Sequence, residues 1–253
     1  MTTTLLVDMG NSRLKWTLLQ GGARGVLHSE PYSPDRVPDL LSKAWPPNPV
    51  PGRILIASVA SGAINGVLRR WIEATWKVSP DFIQSEAQCL GVTNGYRQPE
   101  RLGVDRWLAL IAAYHHCRGP VGIVDAGTAV TIDLVDRLGI HQGGWILPGL
   151  ALYPRCLRAN TAIPDFGELA PTLTFGTGTA EAIANGGLAA VAGAIETAAR
   201  IASTQETLRG IRWVLTGGDA DRLASMISLD FEIIGELVMD GLNRIAELLV
   251  AKQ

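Results

Sequence analysis

Residues 8–19 have the sequence DMGNSRLKWTLL, and residues 125–136 have the sequence DAGTAVTIDLVD. Each stretch begins with an Asp-x-Gly turn that follows a short apolar run, and each continues into a second strand-like segment. The same strand, turn and strand therefore occur twice in the chain. This repetition predicts a duplicated protein with one half at residues 1–119 and the other at residues 120–253, divided at Gly119-Pro120.

Strands and helices are predicted in alternation, which indicates an α/β architecture. In the second strand, alternation places Leu14, Trp16 and Leu18 on one face and leaves Arg13, Lys15 and Thr17 on the other. The predicted strands are 5–8, 13–19, 53–59, one beginning at 121, 130–135 and 213–215. The predicted helices are 35–44, 63–77, 104–115, 180–202 and 237–250.

The composition is that of a globular protein, with 47% hydrophobic and 18% charged residues in a chain of 253. A net charge of −2 provides no long-range attraction to nucleic acid or to an anionic membrane. No apolar run approaches the roughly 20 residues of a membrane helix, and the N-terminus lacks the features of a signal peptide. Three widely spaced cysteines suit free thiols in a reducing compartment. We therefore expect a cytoplasmic protein with no nucleic-acid and no membrane partner.

Several nucleotide-binding and catalytic motifs are absent from the sequence. Without GxxxxGK[ST] and without GxGxxG after a strand, neither a P-loop nor a dinucleotide-binding unit is predicted. GxSxG is absent as well, and the four histidines have neither triad spacing nor metal-ligand spacing. The function is therefore to be sought in the two repeated turns and in the segments around them.

The two Asp-x-Gly turns can bind phosphate. Glycine permits positive φ and a close approach, which allow backbone N–H groups to surround a phosphate. Two such turns can hold one triphosphate from opposite sides. Asp8 and Asp125 then suit Mg²⁺ or another cation that bridges phosphate oxygens. Taken singly, either turn can also be a plain hairpin turn with an Asx cap.

Two further features fit a nucleotide site. Lys15 lies on the polar face of the strand that leaves the first turn, where its charge can reach a bound phosphate. It can equally be a solvated strand lysine. The sequence TGGDA at 216–220 follows a predicted strand, and its glycines leave space for adenine or ribose. The alternative is a strand-to-helix turn with Asp219 as the N-cap.

The sequence Gly103-Val104-Asp105-Arg106 opens a predicted amphipathic helix. A helix N-terminus favours an ionised carboxylate, so Asp105 can accept a hydroxyl proton during phosphoryl transfer. The guanidinium of Arg106 can hold a substrate carboxylate or the charge that develops on the phosphoryl group. Without the phosphate turns, the same residues would be interpreted as a helix N-terminus beside a surface arginine.

Seven motifs, in this order, resemble those of the type III pantothenate kinases, also called the Bvg accessory factor family. They are DMGNSRLK (8–15), NGY (94–96), GVDR (103–106), DAGTA (125–129), GGWILPG (143–149), TGTAEAI (177–183) and TGGDA (216–220). The resemblance extends from Asp8 to Leu242. It implies the duplicated actin-like α/β fold of the ribonuclease H-like superfamily, which includes acetate and sugar kinases, Hsp70 and actin and has mixed sheets flanked by helices.

The resemblance also implies an activity, the transfer of the γ-phosphoryl group of ATP to the 4′-hydroxyl of pantothenate in the first committed step toward coenzyme A. The implied cofactors are Mg²⁺ with ATP and a monovalent cation, K⁺ or NH₄⁺. The implied assembly is a homodimer whose pantothenate pocket lies at the subunit interface. The small residues of 180–202 suit close helix packing at such an interface, or equally an internal core.

By the same resemblance, Asp105 is expected to be the general base and Asp125 the ligand of the monovalent cation. The substrate contacts would be Tyr96, Gly103, Val104, Asp105, Arg106 and Thr179. The residues that would bind ATP and its phosphates are Asp8, Met9, Gly10, Asn11, Ser12, Arg13, Leu14, Lys15, Gly127 and Thr128. The sequence departs from the family at Gly178, since the family usually has asparagine immediately before this threonine.

Two alternatives to the pantothenate kinase are open at this point. A non-catalytic nucleotide-binding accessory or regulatory protein would keep the fold without the chemistry. Such a protein would be free to lose Asp8, Asp105, Arg106, Asp125 and Thr128, all of which are present. A different actin-like sugar or acid kinase would keep the turns and act on another acceptor.

Overall fold

The computed structural model describes residues 3–167 and 169–251. The strands are β1 Thr4–Met9, β2 Arg13–Gln20, β3 Ala23–Arg24, β4 His28–Pro31, β5 Arg53–Ser58, β6 Asp81–Phe82, β7 Gln88–Cys89, β8 Val92–Thr93, β9 Val121–Ala126, β10 Ala129–Val135, β11 His141–Pro148, β12 Arg212–Thr216 and β13 Phe231–Ile233. The α-helices are α1 Val37–Ala44, α2 Gly62–Trp76, α3 Val104–Cys117, α4 Leu152–Asn160, α5 Thr179–Ser203, α6 Ala220–Ala224 and α7 Leu237–Ala251. Short 3-10 helices lie at Pro34–Arg36, Pro99–Arg101 and Glu206–Leu208.

The chain forms two compact units. The first unit contains the residues up to Ala87, Tyr96–Ala112 and the residues from Leu237, and the second contains Gln88–Gly95 and Ala113–Glu236. The last helix, α7, therefore belongs to the first unit. The units differ in this respect from the predicted halves 1–119 and 120–253, and the duplication boundary at Gly119-Pro120 stays a prediction.

Each unit is built on a sheet with the same strand order. The order is β3-β2-β1-β5-β6 in the first unit, where β4 also pairs with β2, and β11-β10-β9-β12-β13 in the second. In both sheets the central strand pairs antiparallel with the strand after its turn and parallel with a later strand, so that β1 and β9 occupy equivalent positions. The repeated topology confirms the duplicated α/β architecture with mixed sheets.

The first sheet is covered on both faces. Successive residues of a strand point to opposite faces, so Leu5 and Val7 of β1 share one face and pack in a core with α1 and α2. Leu6, which is completely buried, points to the other face, and α7 contacts both β1 and β5. The first Asp-x-Gly turn begins at the carboxyl end of β1, where the core ends: Met9 is completely buried, whereas Asn11 and Ser12 are exposed.

The predicted alternation in the second strand is correct for only part of its length. Leu14 and Trp16 are buried as predicted, but Leu18 is 37% exposed. The reason is that the core ends before Leu18, whose side chain lines a surface cavity. The opposite face was predicted to be polar, yet Thr17 and Leu19 are buried there.

The second unit packs its core around α5. Leu188, Val191 and Ile195 of this helix are completely buried against residues of β9, β10 and β12. By length and composition alone, α5 is also the one helix among residues 3–167 and 169–251 that could cross a membrane. A helix in the core of a globular unit meets the same criterion, and one face of α5 is in such a core.

The predicted helices and strands are present, with ends shifted by one or two residues. Residues 35–44 are divided between a 3-10 helix and α1. Sequence analysis missed β11 and α4, because GGWILPG has no strand-like alternation and α4 contains a proline. It also missed the β7–β8 hairpin, whose strands have only two residues each.

Candidate active site

The first Asp-x-Gly turn lies between β1 and β2. The Gly10 N–H donates to the carbonyl of Arg13 at 3.1 Å and closes the turn. Asn11 and Ser12 are exposed at its tip, and Met9 is buried beneath it. Asp8 and Lys15 are directly opposite each other in the antiparallel pair, so their side chains share one face of the sheet. A carboxylate and an ammonium group thus stand together beside an exposed turn.

A second segment holds this turn in place. The Tyr32 hydroxyl donates to the carbonyl of Gly10 at 2.7 Å, and the Tyr32 N–H donates to the carbonyl of Ser12 at 3.3 Å. The Arg13 guanidinium donates to the hydroxyl and the carbonyl of Ser29, at 2.8 and 3.0 Å. Sequence analysis missed Tyr32 and Ser29, because nothing in the stretch HSEPYS predicts that it pairs with the turn.

The second turn has the same form. The Gly127 N–H donates to the carbonyl of Ala129 at 3.0 Å, Thr128 is exposed and Asp125 is half-buried at the end of β9. Gly149 packs on this turn, since its N–H donates to the carbonyl of Thr128 at 3.1 Å. A Cβ at position 149 would lie 2.3 Å from the Gly127 oxygen, which explains the last glycine of GGWILPG.

The TGGDA segment joins the second turn. Gly217 has a φ of +94°, and a Cβ there would lie 2.4 Å from the Ala126 oxygen and 2.7 Å from Asp125 Oδ1. The Asp219 N–H donates to the Ala126 carbonyl at 3.0 Å. Asp219 occupies the N-cap position of α6, but its side chain makes no capping hydrogen bond. DAGTA and TGGDA therefore form one continuous surface in the second unit.

The GVDR segment begins α3 in the first unit. The Trp107 N–H donates to the carbonyl of Gly103 at 2.9 Å, and Asp105 Oδ1 accepts the Arg106 N–H at 2.7 Å. A Cβ at position 103 would lie 2.5 Å from Asp105 Oδ1, so the glycine makes room for the carboxylate. The buried Ser85 hydroxyl donates to the carbonyl of Leu102 at 2.8 Å and supports the segment from below.

Two predicted substrate residues are in direct contact. Arg106 is buried, with 8% of its surface exposed. Its guanidinium donates a hydrogen bond to the Tyr96 hydroxyl at 2.7 Å. The guanidinium carbon also lies 5.5 Å from the centroid of the Tyr96 ring. The structure thus brings the last residue of NGY and the last residue of GVDR together in the first unit. Sequence analysis left open which group Arg106 contacts, and within the protein Tyr96 is one such partner.

The glycine of NGY lies against a buried histidine–aspartate hydrogen bond in the second unit. Gly95 packs so tightly on His141 that a Cβ would lie 1.9 Å from the His141 oxygen. The His141 Nε2 is 2.9 Å from Asp133 Oδ1, and both side chains are almost completely buried. Sequence analysis found no role for His141, because its partner is eight positions away on the other strand of the β10–β11 hairpin.

Thr179 is the first residue of α5 and is exposed. Gly178 is the N-cap, and it provides no side-chain hydrogen bond to the helix. Glu181 stabilises this terminus instead, because Oε2 accepts the N–H of Thr177 at 3.0 Å and its hydroxyl at 3.1 Å. These two hydrogen bonds lower the pKa of Glu181.

A cavity of about 560 Å³ lies in the second unit beside TGGDA. Its lining includes Asp219 and the arginines Arg155, Arg158 and Arg222, together with apolar residues of α5 such as Ile183. Arg158 forms an ion pair with Asp165, and Arg222 lies 3.7 Å from Asp219. The cavity has the size of a small-molecule site, and its wall carries three arginines and the two aspartates Asp165 and Asp219.

Residues 3–167 and 169–251 contain no group of three or more His, Cys, Asp or Glu side chains that could hold a metal ion by themselves. This does not conflict with Mg²⁺, which proteins bind through one or two carboxylates together with substrate phosphates. Asp8 in the first unit and Asp125 in the second are each a half-buried carboxylate at an Asp-x-Gly turn, and each is a residue type that fits such an ion.

The sequence matches a family model over residues 4–201, and that family is described as type III pantothenate kinase. A type III pantothenate kinase of Laribacter hongkongensis is 38% identical over 96% of this chain and 98% of its own length. The protein of the same name from Nitrosococcus oceani is 34% identical over 96% of this chain and 93% of its own. The chain belongs to the type III pantothenate kinase family.

Solved structures agree with the fold of this family member. A putative Baf family transcriptional activator from Campylobacter jejuni has a TM-score of 0.63 at 21% identity, over 98% of this chain and 99% of that one. A putative 2-dehydro-3-deoxygalactonokinase from Sinorhizobium meliloti has a TM-score of 0.61 at 16% identity, over 97% and 99%. MreB 5 of Spiroplasma citri, solved with AMPPNP, has 0.53 at 11%, over 100% and 98%. The expected actin-like fold is confirmed.

Proposed function

We propose that this kinase transfers the γ-phosphoryl group of ATP to the 4′-hydroxyl of pantothenate, the first committed step toward coenzyme A. The proposal depends on one observation in this family member. An Asp-x-Gly turn follows β1 and another follows β9, and these two strands are the equivalent central strands of the two sheets. The family's name favours this reaction over a non-catalytic accessory role, and it favours pantothenate over another acceptor.

The two turns bind the phosphates of ATP in this proposal. Backbone N–H groups at exposed glycine turns form concave anion sites, and Lys15 adds a positive charge on the same face as Asp8. Thr128 contributes an exposed hydroxyl in the second turn. The proposed residues are Asp8, Met9, Gly10, Asn11, Ser12, Arg13, Leu14, Lys15, Gly127 and Thr128.

Asp105 acts as the general base. Its carboxylate takes the proton of the 4′-hydroxyl while that oxygen forms a bond to the γ-phosphorus, and the bond from this phosphorus to the β–γ bridging oxygen breaks to release ADP. Its bond to the Arg106 N–H holds one carboxylate oxygen at the start of α3. Tyr96, Gly103, Val104, Arg106 and Thr179 bind the acceptor, with Arg106 held in orientation by the Tyr96 hydroxyl.

Two cations belong to the proposal. Mg²⁺ bound with ATP would neutralise charge on the phosphate oxygens. Asp125 is the protein ligand of a monovalent cation, K⁺ or NH₄⁺. The Asp125 carboxylate suits this role because it lies half-buried at the end of β9, beside the backbone of Gly217 in TGGDA.

The cavity beside TGGDA is the proposed site of the ATP nucleoside. Gly217 and Asp219 connect it to the second phosphate turn, and the arginines of its wall can hold the ribose hydroxyls or the α-phosphate. Arg222→Ala is expected to raise the KM for ATP without raising that for pantothenate. An unchanged KM for ATP would remove the nucleoside from this cavity.

We also propose a cytoplasmic homodimer formed through β11 and the segment after α4. β11 is an edge strand with Trp145 and Ile146 41% and 64% exposed, and Phe175 is fully exposed. Apolar side chains on an exposed edge strand are a typical subunit interface. One face of α5 is internal core, whereas its small residues Gly186, Ala190 and Gly193 are exposed.

The function is tested with the purified full-length chain, ATP, Mg²⁺, K⁺ and pantothenate, with ADP and phosphorylated product measured by chromatography and mass spectrometry. We expect equal amounts of both products, dependent on pantothenate and reduced when K⁺ is replaced by Na⁺. Asp105→Asn should lose about 10²- to 10⁴-fold in turnover while ATP binding is retained. The exposed Asp39→Asn is the matched control.

Each outcome addresses a separate statement. Absence of turnover in the folded wild-type protein would refute the kinase assignment. Turnover with another acceptor alone would refute pantothenate as the substrate. Full activity of Asp105→Asn would exclude Asp105 as the base, and activity that is the same in Na⁺ and K⁺ would exclude the monovalent cation site.

A further inference from the structure

A second cavity lies in the first unit, at the end of the sheet away from the phosphate turn. It has a volume of about 510 Å³, within the range of small-molecule sites. Its lining residues are contributed by the start of β1, the end of β2, β3, β4, the end of α1 and α2, and the proline-rich connection after α1. Leu18 and Val26, the latter 76% exposed, are apolar side chains that remain uncovered at this cavity.

Aromatic rings form much of its wall. Trp16, Trp45 and Trp76 line it, and Trp45 is stacked on Trp76 with ring centroids 5.6 Å apart at 27°. His28, also in the lining, is stacked on Trp16 at 5.1 Å and 12°. Planar faces packed in this way favour a flat, aromatic occupant, because offset stacking adds to the burial of apolar surface.

The wall also contains a buried donor that lacks an acceptor. The indole N–H of Trp76 donates to the carbonyl of Pro46 at 3.1 Å. The indole N–H of Trp45 has no hydrogen-bond partner among the described residues, and it is buried. Because this nitrogen has less than 1 Å² of accessible surface, it is not open to the cavity, and Trp45 contributes the apolar surface of its ring to the wall.

The charge of the lining selects for an anion. The lining contains the Arg24 guanidinium and no aspartate or glutamate. The Arg24 guanidinium is held at the cavity by Asp240 of α7, at 2.5 Å. One nitrogen of the guanidinium is engaged by this ion pair, and a planar fork with five N–H donors can bind a second carboxylate.

We propose that this cavity is a binding site for a small planar aromatic carboxylate. It is separate from the phosphate turn. Leu5 and Trp16 belong to the core face of the sheet, whereas Asp8 and Lys15 point to the opposite face, as the register of β1 and β2 requires. The site therefore belongs to neither ATP nor the acceptor in the function proposed above, and its test is a binding measurement that is independent of activity.

The test uses 1-naphthoate as the probe and the neutral 1-naphthalenemethanol as its matched control, titrated into the full-length chain by isothermal calorimetry. We expect naphthoate to bind at one site per chain and the alcohol to bind at least about tenfold more weakly, as for loss of a charge-assisted hydrogen bond. Equal binding of both compounds, or no binding of naphthoate, would overturn the proposal.

Two pairs of variants locate the site. Ala23→Trp fills the cavity and should abolish binding, whereas Ala74→Trp adds the same side chain at an exposed position outside the lining and should leave it intact. Arg24→Gln should weaken naphthoate binding about tenfold, whereas Asp240→Asn breaks the same ion pair but retains the cation and should not weaken it. Binding unaffected by Ala23→Trp, or weakened equally by Arg24→Gln and Asp240→Asn, contradicts the proposed recognition.

Discussion

The Tyr32 hydroxyl holds the first Asp-x-Gly turn through one hydrogen bond. Burial raises the pKa of its phenol, so the group stays protonated and donates to the carbonyl of Gly10 across the neutral range. Nothing in the local sequence connects these two residues, which are 22 positions apart. In our proposal Tyr32 contacts no substrate, but its hydrogen bond positions the backbone of Gly10, which binds phosphate.

The variant Tyr32→Phe removes this hydrogen bond and keeps the ring. We expect the KM for ATP to rise about fivefold, corresponding to about 1 kcal/mol for one hydrogen bond, with a smaller effect on kcat. Tyr114→Phe is the control, because the Tyr114 hydroxyl makes only a 3.5 Å contact with the carbonyl of Arg137. Steady-state kinetics in ATP check the prediction, and equal KM values for the two variants would contradict it.

The contact between Arg106 and Tyr96 is a feature that the sequence motifs do not predict. The motifs predict that both residues serve the acceptor, but they do not predict that the two side chains bind each other. The contact depends on how Tyr96, ten positions before Arg106, is carried next to the first turn of α3. Only the folded backbone specifies that approach.

At the scale of elements, close backbone contacts join strands and loops into a site. Gly149 after β11 packs on the DAGTA turn, and Gly217 after β12 packs on the same turn from another segment. In both places a Cβ would come within 2.4 Å of a backbone oxygen. The glycines of GGWILPG and TGGDA are thus explained by the approach of three segments, in addition to any contact with a nucleotide.

Gly149→Ala is predicted to displace the second phosphate turn. Because the new Cβ would meet the Gly127 oxygen at 2.3 Å, the turn must shift by about 1 Å, and kcat/KM for ATP should fall about 10²-fold. Gly186→Ala is the control, since position 186 is open and lies within α5. It should raise stability by about 0.5–1 kcal/mol. Unchanged kinetics of Gly149→Ala would contradict the prediction.

Glu232 of β13 connects three elements of the second unit. It accepts hydrogen bonds from His116 at the end of α3 and from Arg212 of β12, both at 2.5 Å. The His116 hydrogen bond, followed by that from Arg212, lowers the pKa of Glu232 from its ordinary value of 4.5. A lowered pKa means that the stabilisation is present above about pH 4.5 and is lost as the pH falls through the pKa of the folded state.

We therefore predict that Glu232→Gln lowers Tm at pH 7 and that its difference from wild type disappears on acidification below pH 4.5. Thermal unfolding followed by circular dichroism between pH 3 and pH 7 measures this, with the exposed Glu100→Gln as the control. All three groups are partly exposed, so salt should reduce the difference. A difference that stays constant down to pH 3 would contradict the assignment.

At the scale of the whole molecule, the proposed dimer makes a prediction about association. Ile146→Asp places a charge on the exposed edge strand β11, at a position that is 64% exposed in one chain. In a monomer this change should have almost no effect on folding, whereas in the proposed interface it should shift the protein to monomers. Light scattering coupled to gel filtration distinguishes these cases. Val250→Asp, at an exposed position of α7, is the control.

If Ile146→Asp and Val250→Asp both remain at the wild-type mass, β11 is not the interface. If the wild type is itself a monomer, the homodimer is excluded. Loss of pantothenate turnover together with the dimer would support an acceptor pocket that is completed by the partner subunit. Full activity of the monomeric variant would contradict that part of the proposal.

The sequence by itself determined the duplicated fold, the α/β class and the positions of the two Asp-x-Gly turns, because strand alternation, helical periodicity and glycine turns are properties of neighbouring residues. Tertiary structure alone decided that Tyr32 holds Gly10, that His141 pairs with Asp133, that Gly149 lies on the second turn and that Leu18 opens onto a cavity. The physical reason is that these contacts join residues from different strands and loops. These contacts depend on strand register and on where the core ends. Neither property can be predicted from short-range patterns in the sequence.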